Sequence, residues 1–294
     1  MSTILRLVQG TPEWLAHRLK YRNASETAAV MNISPWITPY QLWLQRTGRQ
    51  EAKVTAAMRR GTELEPVARA AYERLTGHVM EPLVLGEGEY SASLDGITLE
   101  GDLILEIKCP TKGRESDLWK AVELGQVPEY YQWQIEHQLM VAGASLAHLF
   151  VFDGTEGLLL EVPPRPETWP EIHKAWDAFA QCLASDTPPP LSARDSRLRN
   201  DEAWREAAEA YVAAKVAADQ AGAALTEAKA RLTALASHPK EEGAGVAVTQ
   251  FWKQGAVDYK RVPQLKGVDL SEFRSASRLE TRISLLNDAK GNQP

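Results

Sequence analysis

The run Leu103-Ile104-Leu105-Glu106-Ile107-Lys108-Cys109-Pro110 sets a carboxylate and an ammonium two residues apart in a stretch that reads as a strand. Side chains alternate along a strand, so Glu106 and Lys108 project to one face, together with Ile104. Leu103, Leu105 and Ile107 fall on the other. Two charges at the end of an apolar strand are costly unless something pairs with them. Asp95, in Ser93-Leu94-Asp95-Gly96, ends the preceding predicted strand before a turn glycine and can come alongside. Two converging carboxylates and the Ile107 backbone carbonyl make a hard oxygen site suited to Mg²⁺. A lysine beside it can orient water or help deprotonate it, and can stabilise phosphorane-like charge. That chemistry is metal-assisted phosphodiester hydrolysis. An ordinary surface strand with a salt bridge fits the same residues.

The pattern Asp-Gly, spacer, Glu-x-Lys resembles the motif of the restriction-endonuclease-like nuclease superfamily. Further segments resemble the phage lambda-type alkaline exonucleases, also called YqaJ-like viral recombinases. These are Trp14-x-x-x-Arg18 with Asn23-Ala24-Ser25, then Gly61-Thr62-Glu63-Leu64-Glu65. Leu94-Asp95-Gly96, Leu105 to Pro110 and Tyr131-x-x-Gln134-x-x-x-Gln138-Leu139-Met140 follow in order. The likeness extends over roughly residues 10–155.

The resemblance implies an α/β fold: a restriction-endonuclease-like core, a twisted mixed sheet flanked by helices. It implies that Asp95, Glu106 and the Ile107 carbonyl bind Mg²⁺, with Mn²⁺ able to substitute. Lys108 would act on the attacking water, and Glu65 would be an outer ligand or acceptor. Arg18 and Ser25 would bind the terminal 5′-phosphate, with Gln134 near the substrate. A guanidinium suits that contact because it can hold phosphate bidentately. Ser25, read as the N-cap of a helix from Ser25 to Met31, would add a hydroxyl and free backbone amides. The family helix often carries a Gln-x-Gln pair. Here it reads Gln134-Ile135-Glu136, so Glu136 is expected as a neighbouring acceptor or a water-mediated ligand. The implied activity is 5′-to-3′ exonuclease action on double-stranded DNA ends, leaving a 3′ single strand for a phage-type single-strand-annealing recombination protein. A homotrimeric ring around DNA is implied as well. The competing readings are a restriction-like or structure-specific endonuclease, and a non-catalytic DNA-binding adaptor.

Elements must position these residues. Pro12 to Leu19, Thr62 to Leu75, Tyr130 to Val141 and Trp169 to Leu183 read as helices. Val79 to Leu85, Tyr90 to Leu94, Leu103 to Ile107, Leu146 to Phe152 and Leu158 to Val162 read as strands. Thr62-x-x-Glu65 fits a capping box, and the helix it opens should stop at Gly77. Cys109 is expected as a small buried residue. His137 and His148 lack partners at metal-ligand spacing.

The 294 residues are 44% hydrophobic and 24% charged, an ordinary globular balance that excludes collagen-like, disordered and disulfide-scaffold chains. No apolar run suits a membrane span, and Met1 to Arg6 lacks an apolar signal core. With only two cysteines, a reducing cytoplasm is the expected compartment. The net charge of −6 argues against a passive DNA-coating protein but not against an enzyme with metal-binding carboxylates.

The break Asp186-Thr187-Pro188-Pro189-Pro190 divides the chain. The expected parts are a nuclease core at 1–185, a linker at 186–200 and a helical, coiled-coil-like extension at 201–294. Trp204, Tyr211, Ala218, Leu225 and Leu232 recur every seven residues, with a second row at Ala207, Ala214, Ala221, Ala228 and Leu235. Such a stripe can pack in cis, fold as a hairpin broken near Ala221-Gly222, or dock another chain. The tail from Lys253 to Pro294 carries three more positive than negative charges, with Trp252 and Tyr259 close by, and is expected to dock DNA or a partner protein.

Overall fold

The computed structural model describes residues 2–252 together with 255, 262–265 and 268. Nearly all of the expected basic tail lies outside the described residues. In chain order the elements are β1 (Thr3–Leu5), α1 (Pro12–Lys20), β2 (Arg22–Asn23), α2 (Thr27–Val30), α3 (Pro39–Arg46) and α4 (Ala56–Thr76). Then come β3 (Glu81–Glu87), β4 (Tyr90–Ile97), β5 (Leu103–Lys108), α5 (Asp117–Glu123), α6 (Glu129–Ala142), β6 (Leu146–Phe152), β7 (Gly157–Val162) and α7 (Trp169–Ala184). The last are α8 (Glu202–Leu235), β8 (Lys240–Gly243) and β9 (Val246–Thr249).

One mixed sheet runs β1-β3-β4-β5-β6-β7, with short β2 paired parallel to β4. Neighbours are antiparallel except β5 and β6, which are parallel, in register Glu106↔Leu149. A parallel pair needs a crossover, and here the crossover carries α5 and α6. The sheet has an apolar core on each face. Ala92, Leu94 and Ile104 join Ile135, Leu139, Ile172 and Trp176 on one. Leu103, Leu105 and Ile107 pack with Ala68 and Tyr72 of α4 on the other. The alternation expected for β5 is therefore what divides the two cores.

Three local readings need correction. Thr62 does not open a helix. α4 starts six residues earlier, where Thr55 accepts from the Met58 N–H at 3.2 Å, and Thr62 donates back to the Met58 carbonyl from inside the helix. Gly61 and Pro66 imitate a helix start, but the good helix formers before them extend it. The helix does end at Gly77, whose φ of +78° suits glycine. Ser25 is not a helix N-cap: it lies within a 3-10 turn, Ala24–Glu26, ahead of the four-residue α2. Gly96 is not a turn glycine. It continues β4 opposite Leu105, and a Cβ there would lie 2.7 Å from the Met80 Cβ. Close packing, not backbone conformation, requires it.

The chain divides into two compact units between Ser196 and Arg197. Part of the expected 186–200 linker is bound to the first unit: Thr38 Oγ1 donates to Asp195 at 2.5 Å, and Arg194 donates to the Asn32 side chain at 3.0 Å. In the second unit α8 is continuous through Gly222, capped by Asp201, with none of its residues buried. A helix pair broken at Ala221-Gly222 is thereby removed. β8 and β9 form an antiparallel hairpin after it. No described helix is long and apolar enough to cross a membrane.

Candidate active site

The site lies where β4 and β5 part. Their ladder pairs Ile97↔Ile104 and Gly96↔Leu105. One residue further, the Ile107 N–H donates to Asp95 Oδ2 at 2.7 Å. The acid thus takes the place of a strand partner. The Asp95 carbonyl is held in turn by Arg69 Nε at 2.6 Å, and Arg69 Nη2 also binds Glu65 at 2.6 Å. Glu65 and Arg69 are four apart on α4, so one helix face presents both.

Glu106 is 2% exposed. Lys108 pairs with its Oε1, Gln134 donates to Oε1 at 2.7 Å and Gln138 donates to Oε2 at 2.6 Å. The two glutamines are four apart on α6, which packs over this end of β5. Lys108 keeps 22% of its side chain exposed and lies 4.9 Å from the centroid of the Tyr131 ring.

Charge is unevenly balanced here. Asp95 is held well above the ordinary carboxylate range, first by burial and then by Glu106 and Glu65; Lys108 and the Ile107 N–H oppose this. Glu65 is also raised, by burial foremost, with Arg69 opposing and Glu106 adding. Burial alone would lower the Lys108 ammonium, but Glu106, Tyr131 and Asp95 outweigh it and lift it above its usual value. Like charges gathered around one point are a mark of functional sites.

Among the described residues no three His, Cys, Asp or Glu side chains converge closely enough, in this arrangement, to hold a metal ion. The donor chemistry nevertheless fits a hard divalent cation. Asp95 and Glu106 supply oxygens, their mutual repulsion would be relieved by positive charge, and buried Gln138 Oε1 has no hydrogen-bond partner.

A second cluster adjoins the first. Arg18 Nη1 donates to Ser25 Oγ at 3.0 Å and Arg18 Nη2 pairs with Glu26 at 2.8 Å. The Arg18 guanidinium lies 4.8 Å from the centroid of the Trp14 ring, and Trp14 Nε1 donates to Ser93 Oγ at 2.9 Å. Ser93 is two residues before Asp95 on β4. Asn23 ties the turn together, donating to the Arg18 and Tyr21 carbonyls at 2.8 and 3.0 Å.

The structure therefore brings Asp95, Glu106, Lys108, Glu65 and Gln134 into one cluster and Arg18 with Ser25 into its neighbour. Gln134, expected near the substrate, holds Glu106. Glu136 does not join them. Two positions on from Gln134 lies just over half a helical turn away, and there Glu136 accepts from Gln132, Trp169, and the Arg165 backbone and guanidinium. Both of its oxygens are taken by these donors, away from the cluster at Asp95 and Glu106. Cys109 is only partly buried, with its thiol pushed up to about 11 by burial. His137 is fully buried, shares a hydrogen bond with Thr27 Oγ1 and is pushed down to about 3 by burial. Sequence reasoning missed Arg69, Glu26 and Arg46, the last binding Glu26 at 3.0 Å. The i,i+4 spacing of Glu65 and Arg69 was the available signal for one of them.

Residues 13–145 match the model of the YqaJ-like viral recombinase domain. A Bacillus subtilis (strain 168) protein, the uncharacterized protein YqaJ, is 30% identical over 139 residues, covering 45% of this chain and 42% of that one. The chain thus spans less than half the length of that relative. The chain is also similar to the alkaline exonuclease LHK-Exo from Laribacter hongkongensis, at 28% identity and a TM-score of 0.50. The LHK-Exo complex with dAMP gives 27% identity and a TM-score of 0.51. Each comparison covers 60% of this chain and 94% of the other. The mixed sheet between helical layers is the restriction-endonuclease-like architecture expected from the sequence.

Proposed function

We propose that the protein is a Mg²⁺-dependent 5′-to-3′ exonuclease acting on double-stranded DNA ends. The observation that carries this reading is the pairing of two clusters through β4: the acidic one at Asp95, Glu106 and Lys108, and the cationic one at Arg18 and Ser25. The similarity to an alkaline exonuclease supports the same chemistry. An endonuclease has no use for a terminal-phosphate pocket.

Asp95, Glu106 and the Ile107 carbonyl would hold the ion, with Glu65 as an outer acceptor and Mn²⁺ able to replace Mg²⁺. When bound, the ion lowers the pKa of water and neutralises charge on the phosphoryl oxygens. Lys108, paired with Glu106, remains an ammonium; it orients the attacking water and stabilises charge developing at phosphorus. Gln134 and Gln138 fix both oxygens of Glu106. Arg69 fixes the Asp95 backbone and Glu65 together. Arg18 and Ser25 receive the 5′-phosphate, which sets the distance from the end to the cut. We further infer, on the family's character, that the 3′ strand passes to a single-strand-annealing protein and that the enzyme works as a homotrimeric ring in the cytoplasm.

The test offers covalently closed circular duplex and linear duplex with 5′-phosphate or 5′-hydroxyl ends, in Mg²⁺ and in EDTA. Digestion of linear DNA alone, fastest with 5′-phosphate and abolished by EDTA, is expected. Cutting of the closed circle would replace this reading with an endonuclease. Inertness towards both would favour a DNA-binding adaptor. A sedimentation mass near that of a single chain would remove the ring.

A further inference from the structure

Trp36 stands in the segment between α2 and α3 with 66% of its surface exposed. It is exposed but held. Its backbone N–H donates to Ser34 Oγ at 3.3 Å, and the buried Ser34 gives its carbonyl to Arg194. The indole meets Tyr130 edge-on, centroids 5.1 Å apart, and Tyr131 at a tilt, 5.8 Å apart. Tyr130 and Tyr131 are 4.5 Å from each other. Tyr131 is the ring that lies against Lys108. Three aromatic rings thus lead outward from the candidate catalytic lysine to an open indole, all within the first compact unit.

Resting on the nuclease reading, we propose that Trp36, edged by Tyr130, is a stacking platform for the nucleobase adjoining the scissile phosphate. With the scissile phosphate at Lys108, the base of the terminal nucleotide on its 5′ side is the planar apolar group able to reach a ring two contacts away. Aromatic stacking accepts every base, because each has a π-face. An exonuclease must advance through any sequence, so it needs a grip of this kind rather than hydrogen bonds to base edges. Prising the terminal base from its partner also costs stacking, which the indole would replace.

The test compares wild type, W36A and W36F on linear duplexes carrying either a normal or an abasic nucleotide at the 5′ end. Loss of one base-aromatic stack corresponds to roughly tenfold weaker binding. W36A is expected to raise KM on normal ends about tenfold with a much smaller change in kcat, and W36F to recover most of it. The abasic end should slow wild type to a similar extent and slow W36A no further. In EDTA, terminal 2-aminopurine fluorescence should be quenched by wild type and not by W36A. Equal KM for W36A and wild type on normal ends would overturn the platform while leaving the nuclease standing. A shift in sedimentation mass on W36A would also overturn it, placing Trp36 in a contact between copies. Wild type inert on every linear duplex would bring down the nuclease reading and this inference together.

Discussion

Glu136 and Glu106 are both buried carboxylates, both contacted from α6, and both surrounded by donors. Glu136 is 0% exposed and accepts from a cationic guanidinium, a backbone N–H, an indole and an amide. Glu106 is 2% exposed and accepts from two amides and an ammonium. The donors are alike; the neighbours are not. Glu106 shares its space with Asp95 and Glu65, and Asp95 is pushed far up by that company. Satisfied burial marks a residue that holds the fold, whereas burial beside like charge marks one kept for chemistry.

The largest effect that can break this contrast lies at Glu106. E106A should lower kcat on linear duplex by on the order of 10³-fold, as loss of a group acting directly on the transition state does. DNA binding, read by gel shift, should survive. Next is K108A, with kcat down about 10²-fold and Mn²⁺ binding by calorimetry retained. Unchanged turnover would reject the role given to Lys108. E136A should do the reverse. Hydrogen bonds to charged groups contribute about 1.5–3 kcal/mol, and Arg165, 44% exposed, can turn to water, so the loss is roughly 2 kcal/mol in a urea melt. Its kcat should stay within twofold once the variant is folded. A dead but fully stable E136A would erase the distinction.

The smallest effect sharpens the comparison through pH. Asp95 has a folded-state pKa above its unfolded value, so the folded state binds the extra proton. In EDTA its contribution to stability is therefore greatest at acidic pH and is lost as pH rises from the ordinary carboxylate range through the raised value. D95N should flatten that decline in thermal melts at stepped pH. An identical slope in both proteins would show that Asp95 is not under strain.

Much of this was readable in the chain. The alternation of Leu103 to Lys108 assigned each residue its face, and the motif order carried the architecture. Elsewhere, local signals competed. Thr62 and Glu65 satisfy a capping-box pattern, yet a better cap at Thr55 starts the helix earlier, and the i,i+4 geometry of α4 puts Glu65 beside Arg69. Conversely, Thr38-Pro39-Tyr40-Gln41 carries a full capping box in the structure, and the sequence reading passed over the helix it opens. The destiny of Glu136 was hidden because its partners come from distant elements, Arg165 from the connection after β7 and Trp169 from the start of α7. Period and spacing describe one element at a time and cannot announce contacts between elements 29 and 33 residues apart.

The parallel pairing of β5 with β6 has a consequence in time. Asp95 reaches the Ile107 N–H across 12 residues, whereas Gln134 and Gln138 reach Glu106 across 28 and 32. Shorter loops close at lower entropic cost, so the β4–β5 contact leads and the crossover follows. In a folding chain the acids meet before the amides that restrain Glu106 arrive. Docking of α6 is then the event that fixes Glu106 beside an Asp95 already held by the Ile107 N–H, and the order of assembly is written into the topology of the sheet.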